Sequence, residues 1–205
     1  MIGSRFVAFV PVALLALTAL LLFGAAPQKE PERRGTEVMP PETWAQSNFS
    51  EPGDAHRKLE PLVGTFDARV KSWVAPEGEA VLSTAVCEGR FILGGRFVQE
   101  VCGGTETGQR FQAIALTGYD NHMRQYIAVG ANTRGTSLVP CQGSFDAEGK
   151  VLTMTCEFVD PATGRKKTSR GVTRIRDAAT RTYESFETGP DGREQKVLEI
   201  TYTRR

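Results

Sequence analysis

The sequence predicts an all-β fold: an antiparallel up-and-down barrel of about nine or ten strands, preceded by a short helix. Three observations carry that expectation. Apolar residues alternate with polar ones over short stretches, as in strands with one buried face. Almost every junction between stretches carries a turn signal rich in Gly, Asp, Asn or Pro. The stretches follow one another through loops too short for a crossover, so neighbours in sequence pair as hairpins, and closing the sheet removes its edges. A β-sandwich is the structural alternative. With 205 residues, 40% of them hydrophobic and 24% charged, the chain has room for one ordinary domain and a flexible segment.

The N-terminus reads differently from the rest. Met1 to Ala26 has a single charge, Arg5, then an apolar run from Phe6 to Phe23 and small residues at Gly24-Ala25-Ala26, the layout of an export signal. Cleavage after Ala26 leaves Pro27 first, and cleavage one residue earlier puts Phe23 at −3, so a signal peptide and an uncleaved anchor both stay open; an apolar run of about 18 residues just spans a bilayer. Either way the domain is exported, to a periplasmic or extracellular location or tethered by the anchor. Residues 27–53 form a disordered linker, with Pro27, Pro31, Pro40, Pro41 and Pro52 among polar residues and no apolar periodicity. Asn48-Phe49-Ser50 is a glycosylation sequon only in a eukaryotic secretory route.

The domain spans residues 54–205. Asp54 to Glu60 reads as a short helix capped by Asp54 and stopped by Pro61. The first strand runs from Val63 to Val74, and the second from Ala80 to Glu88. Arg90 to Leu93 then turns at Gly94-Gly95 and runs on to Gly103. Gln109–Tyr119, Gln125–Gly130, Thr136–Phe145, Lys150–Val159, Lys166–Arg176, Thr180–Thr188 and Glu194–Tyr202 complete the set. Gly94-Gly95 is a two-residue turn signal, because types I′ and II′ need positive φ. Pairing Leu93 with Arg96 across that turn sets Cys87 opposite Cys102. In the later hairpin, Leu152, Met154, Cys156 and Phe158 share one face, as do Val139, Cys141 and Phe145, and a one-residue slip would turn one set outward. Phe145 opposite Leu152 keeps both inward and sets Cys141 opposite Cys156.

Four cysteines in an exported chain favour disulfides, and these registers select Cys87–Cys102 and Cys141–Cys156 among three connectivities. No metal site is indicated, since there is no Cys-x-x-Cys and the two histidines, His56 and His122, lie far apart in sequence. No catalytic residue is indicated either. Neither histidine adjoins a nucleophile motif, and the glycine pairs open no helix that could cradle phosphate. No cofactor is expected. The chain carries 25 basic and 24 acidic side chains, and the leader holds one of the basic ones, so the remainder is neutral and gives no reason to expect nucleic acid. The basic run Arg165-Lys166-Lys167 with Arg170, Arg174 and Arg176 is read as pairing across strands with Glu184 and Glu187.

One face invites a function. In the Leu93/Arg96 register, Arg96 and Glu100 share a side with Phe91, Val98 and Cys102. If that side is inward, Arg96, Glu100, Phe91 and Val98 line a ligand site of the usual kind, apolar with a few placed polar groups.

Several motifs also resemble a known family. Leu93-Gly94-Gly95-Arg96-Phe97, Gly118-Tyr119-Asp120-Asn121, Phe145-Asp146-Ala147-Glu148-Gly149-Lys150, Asp160-Pro161-Ala162-Thr163-Gly164, Glu187-Thr188-Gly189-Pro190-Asp191-Gly192 and Glu199-Ile200-Thr201-Tyr202-Thr203-Arg204 occur in the order seen in the bacterial domain-of-unknown-function family fifteen-seventy-nine. The resemblance runs from about His56 to the C-terminus and implies a lipocalin-like, calycin-type barrel. Leu62-Val63-Gly64-Thr65-Phe66 is similar to the lipocalin Gly-x-Trp entry with Phe66 in place of Trp, which implies that Arg204 or Arg205 stacks on Phe66. The family brings no established activity. The haem-binding barrels related to it use a late histidine that this sequence lacks.

The expectation is therefore an exported barrel with a small apolar ligand inside it and membrane contact only through an uncleaved leader. Two readings compete with it: a non-catalytic envelope interaction module with a side-chain-filled barrel, and an enzyme with a pocket around Arg96 and Glu100. Ligand identity and oligomeric state are not legible.

Overall fold

The computed structural model describes residues 49–73, 78–160, 163–189 and 192–205. The leader, most of the linker and Asn48 of the sequon lie outside them. Ten antiparallel strands close into a barrel: β1 (Gly64–Ser72), β2 (Val81–Ile92), β3 (Phe97–Glu106), β4 (Gln109–Asp120), β5 (Gln125–Asn132), β6 (Val139–Phe145), β7 (Val151–Val159), β8 (Lys166–Ile175), β9 (Thr180–Thr188) and β10 (Glu194–Arg204). Every strand pairs with its sequence neighbours, and β1 pairs with β10 to seal the ring. Among the described residues no helix is long and apolar enough to cross a membrane.

The registers that position the cysteines are those expected. Cys87 faces Cys102 and Cys141 faces Cys156, and both pairs are bonded. Leu152, Met154 and Cys156 are buried, alternating with more exposed neighbours.

Three details correct the sequence reading. The Gly94-Gly95 turn is wider than two residues: the ladder ends at Ile92 opposite Phe97, and Leu93, Gly94 and Gly95 all take positive φ, at 48°, 65° and 88°. The leading helix, α1, covers only Asp54–Arg57, with Gly53 at the cap position and Asp54 paired to Arg57, before a 3-10 turn at Glu60–Leu62 that contains Pro61. Thr136 to Leu138 stand outside β6, which begins at Val139.

Up-and-down order gives the barrel two unlike ends. The β2–β3, β4–β5, β6–β7 and β8–β9 turns gather at one end, where three of them are held by an aspartate. Asp120 accepts from the His122 and Met123 N–H groups at 2.8 and 2.9 Å, Asp146 from Lys150 and Val151, and Asp177 from Ala179 and Thr180. These are side chains standing in for backbone acceptors, the reason aspartate starts turns. The segment from α1 to Leu62 plugs this end, packing Leu59 and Leu62 on Val98, Tyr126, Leu152 and Met154. The Tyr126 hydroxyl donates to the Ala55 carbonyl at 2.9 Å. Ahead of the plug, Phe49 sits edge-on to His122 at 4.7 Å, and Asn121 donates to the Phe49 and Glu51 carbonyls.

The seam between β1 and β10 is finished by arginines. Arg204 lies with its guanidinium carbon 4.8 Å from the Phe66 ring centre and donates to the Ala178 carbonyl, while Arg205 pairs with Asp67 at 2.7 Å. The residue that the resemblance places on Phe66 is thus Arg204. Gly64 allows this approach: its φ is +128°, and a Cβ there would fall 2.1 Å from an Arg204 nitrogen.

Candidate functional site

Ten strands make a wider ring than the eight that side chains can just fill, and this sequence does not fill it. Inward positions on facing strands carry small residues, among them Ala68, Ala85, Ala113, Ala115, Ala128 and Gly130. A cavity of about 400 Å³ remains, with Leu62 of the plug at one end and Ser72, Glu106 and Arg134 at the other, its mouth. Both disulfides and Met154 face it, so its middle is a band of sulfur and methyl groups.

Polar groups stand at two levels. Deep inside, Glu100 on β3 pairs with Arg181 on β9, a strand almost opposite in the ring. Arg181 is only 5% exposed and its guanidinium stacks over Tyr202 at 3.6 Å and Phe66 at 4.8 Å. A buried cation needs a counter-charge, and the ring faces add attraction. At the mouth Glu106 pairs with Arg134 and accepts from the Ser72 hydroxyl at 3.2 Å. Burial, helped by the Glu100 charge and opposed by Arg181, raises the Tyr202 phenol above its ordinary range; burial does the same to Tyr183. Both phenols therefore stay protonated near neutrality and serve as hydrogen-bond groups, not bases.

The sequence-derived site residues divide. Val98 and Glu100 line the cavity, together with all four cysteines. Arg96 does not: it belongs to the turn, where it donates to the Leu93 carbonyl at 3.2 Å and meets Glu51 at 3.4 Å. Phe91, paired with Val98 in register, sits at the closed end and is 37% exposed. The ladder stops before Arg96, so strand parity no longer fixes where its side chain points. The pocket around Arg96 and Glu100 that an enzyme reading requires is not assembled.

Arg181, Tyr183 and Tyr202 escape the sequence reading. In β9 the inward residues Arg181 and Tyr183 alternate with Thr182 and Glu184, so neither face is plainly apolar. The available signal was Glu100, an acid on an inward face that requires a cation. Glu100 also lies near the first bridge, with its Oε1 3.8 Å from Cys102 Sγ. The two sulfurs are bonded to each other, so this is not a metal-ligand set.

Outside the barrel, the basic run is paired only in part as expected: Arg174 meets Glu184 at 3.7 Å and Lys167 comes within 3.9 Å of Glu187, while Arg170 takes Glu194 of β10 instead, at 2.6 Å. Lys167 meets Asp160 more closely, at 3.0 Å. Acid partners hold Arg170 and Lys167 above their ordinary pKa, and Arg170 holds Glu194 below its own.

Among solved structures, the crystal structure of Rv2717c from M. tuberculosis aligns over 76% of this chain and 99% of its own, with 15% identity and a TM-score of 0.57. That likeness concerns the fold. A redesigned β-barrel, b11L5F_LGL, aligns over 73% of this chain and 96% of its own, at 11% identity and a TM-score of 0.39. EF1p2_mFAP2b bound to DFHBI aligns over 74% and 99%, at 10% identity and 0.41. No curated protein matches the sequence. The family model described as "Protein of unknown function (DUF1579)" matches residues 51–204, the whole barrel with its plug, and the chain belongs to that family.

Proposed function

We propose that this protein is exported and holds one small, mostly apolar molecule inside its barrel. The observation that carries this is the lumen: about 400 Å³ of space walled by alanine, sulfur and methyl groups, with polar groups confined to its floor and rim. Pockets for small ligands have this size and composition. Two disulfides support export, since such bonds persist in oxidising compartments. Against the reading of a filled barrel stands the run of small inward residues, which leaves the centre open.

Native mass spectrometry tests the proposal. Protein purified without detergent, or exposed to a lipid extract of its host and repurified, is expected to carry a stoichiometric adduct lost on unfolding. A barrel that stays empty after such exposure would count decisively against a ligand. The same intact mass reports whether the chain begins after Ala25 or Ala26 or keeps its leader.

A further inference from the structure

The outer surface of the barrel divides into two unlike halves. On β8, β9, β10 and β1 outward charges pair with one another, as Arg170 does with Glu194, Lys71 with Glu199 and Arg205 with Asp67. The outward positions of β3, β4, β5 and β6 hold only two charged side chains, Arg110 and the turn aspartate Asp120. Glutamine, glycine and aliphatic residues take the other places. A surface cleared of charge and rich in exposed aliphatic groups has the composition of the middle of a protein–protein interface.

The centre of this half lies on β2, β3 and β4. Val101 of β3 stands between Glu100 and Cys102, which both face the lumen, so it points outward, and it is 44% exposed. Ile114 is opposite it on β4, and Val86 on β2 is opposite Gly103; both are exposed. Gly103 makes a notch among them, since a Cβ there would meet nothing within 4 Å.

Two charges flank the notch. Glu88 on β2 is opposite Val101, and Arg110 on β4 is opposite Thr105. The acid is therefore one strand to one side of Gly103 and two residues down, and the base is one strand to the other side and two residues up. Both are exposed, and among the described residues neither side chain is in an ion pair. Gly103 is the midpoint between them. A two-fold axis lying in the face, through Gly103 and at right angles to the Glu88–Arg110 line, lays each copy's Glu88 on the other copy's Arg110, which is the reciprocity a two-fold contact requires. On the axis a residue meets its own copy, and a glycine there lets two convex faces approach.

We infer that the outer face of β2, β3 and β4 is the contact between two copies of this chain, with Val86, Val101 and Ile114 packed around Gly103 and two reciprocal Glu88–Arg110 pairs at the flanks. Three strands about 4.8 Å apart give several hundred Å² per copy, at the low end of specific interfaces, so the dimer is expected to form at micromolar concentrations. The inference does not depend on what the lumen holds.

Sedimentation velocity of the purified full chain between about 1 and 200 µM tests it. Wild type is expected to pass from monomer to dimer over that range. Glu88→Arg and Arg110→Glu, each alone, set like charges against each other and are expected to weaken the dimer about tenfold or more. An equimolar mixture of the two variants is expected to recover wild-type association, because opposite charges then meet again at both flanks, and that recovery also shows that both variants fold. Wild type that stays monomeric to the top of the range overturns the inference, and flotation of that monomer with phosphatidylglycerol vesicles would assign the face to a membrane instead. Association that ignores both reversals, or that the mixture fails to restore, overturns it as well.

Discussion

Arg181 ties the floor of the lumen together: one guanidinium pairs with Glu100 and lies on Tyr202 and Phe66. Arg181→Met would leave Glu100 inside the barrel without a counter-charge, a loss of about 3 kcal/mol in urea denaturation. Adding Glu100→Gln should restore most of it, and that restoration separates charge pairing from lost packing. His56 is the second residue with a measurable signature. It is buried in the plug, its Nδ1 accepts from the Gly53 N–H at 3.1 Å, and burial holds its pKa below the ordinary 6.5, against a raising hydrogen bond to the Tyr119 backbone. The unfolded chain then binds the proton more readily than the folded one. Stability from this residue is complete above about pH 6.5 and is lost as the pH falls through the depressed folded value. Wild type should therefore weaken between pH 7.5 and 5.5, and His56→Gln should flatten that slope in denaturant melts. The carboxylates held low by arginine or lysine, such as Glu199 and Asp67, titrate below this window.

At the scale of elements, the hairpins were the most legible part of the sequence. Alternation on β7 and the inward set on β6 exclude a one-residue slip, and the Phe145–Leu152 register chosen among those left aligned Cys141 with Cys156. Each bridge closes a separation of 15 residues and should contribute about 3 kcal/mol. Removing Cys87 and Cys102 together as alanines is expected to lower the unfolding free energy by about that amount, and the two bridges should add because they lie on separate hairpins. Legibility failed where strands end. Leu93 takes a left-handed φ that its residue type does not announce, so the turn is wider than Gly94-Gly95 suggested and Arg96 swings to Glu51. The mixed polarity of β9 hid Arg181 because a polar residue facing a lumen looks like one facing water. At the β1–β10 seam, Gly64→Ala should destabilise by about 1–3 kcal/mol, since Cβ would meet both an unfavourable φ and the Arg204 guanidinium.

For the whole molecule, hollowness is a property of no single element. It comes from ring size and from small residues spread over several strands, which is why the sequence alone did not decide between a hollow barrel and a side-chain-filled one. Ala128→Phe should fill part of the space, leave or raise the melting temperature, and abolish the adduct expected in native mass spectrometry. The seam has a consequence in time. Nine of the ten strand pairings join sequence neighbours and form as the chain is extended, but the tenth needs Phe66 and Arg204 together. Synthesis runs from the N-terminus, so β1 stays a bare strand edge until β10 has followed. Through that interval its unpaired N–H and C=O groups are an open template for pairing with another chain.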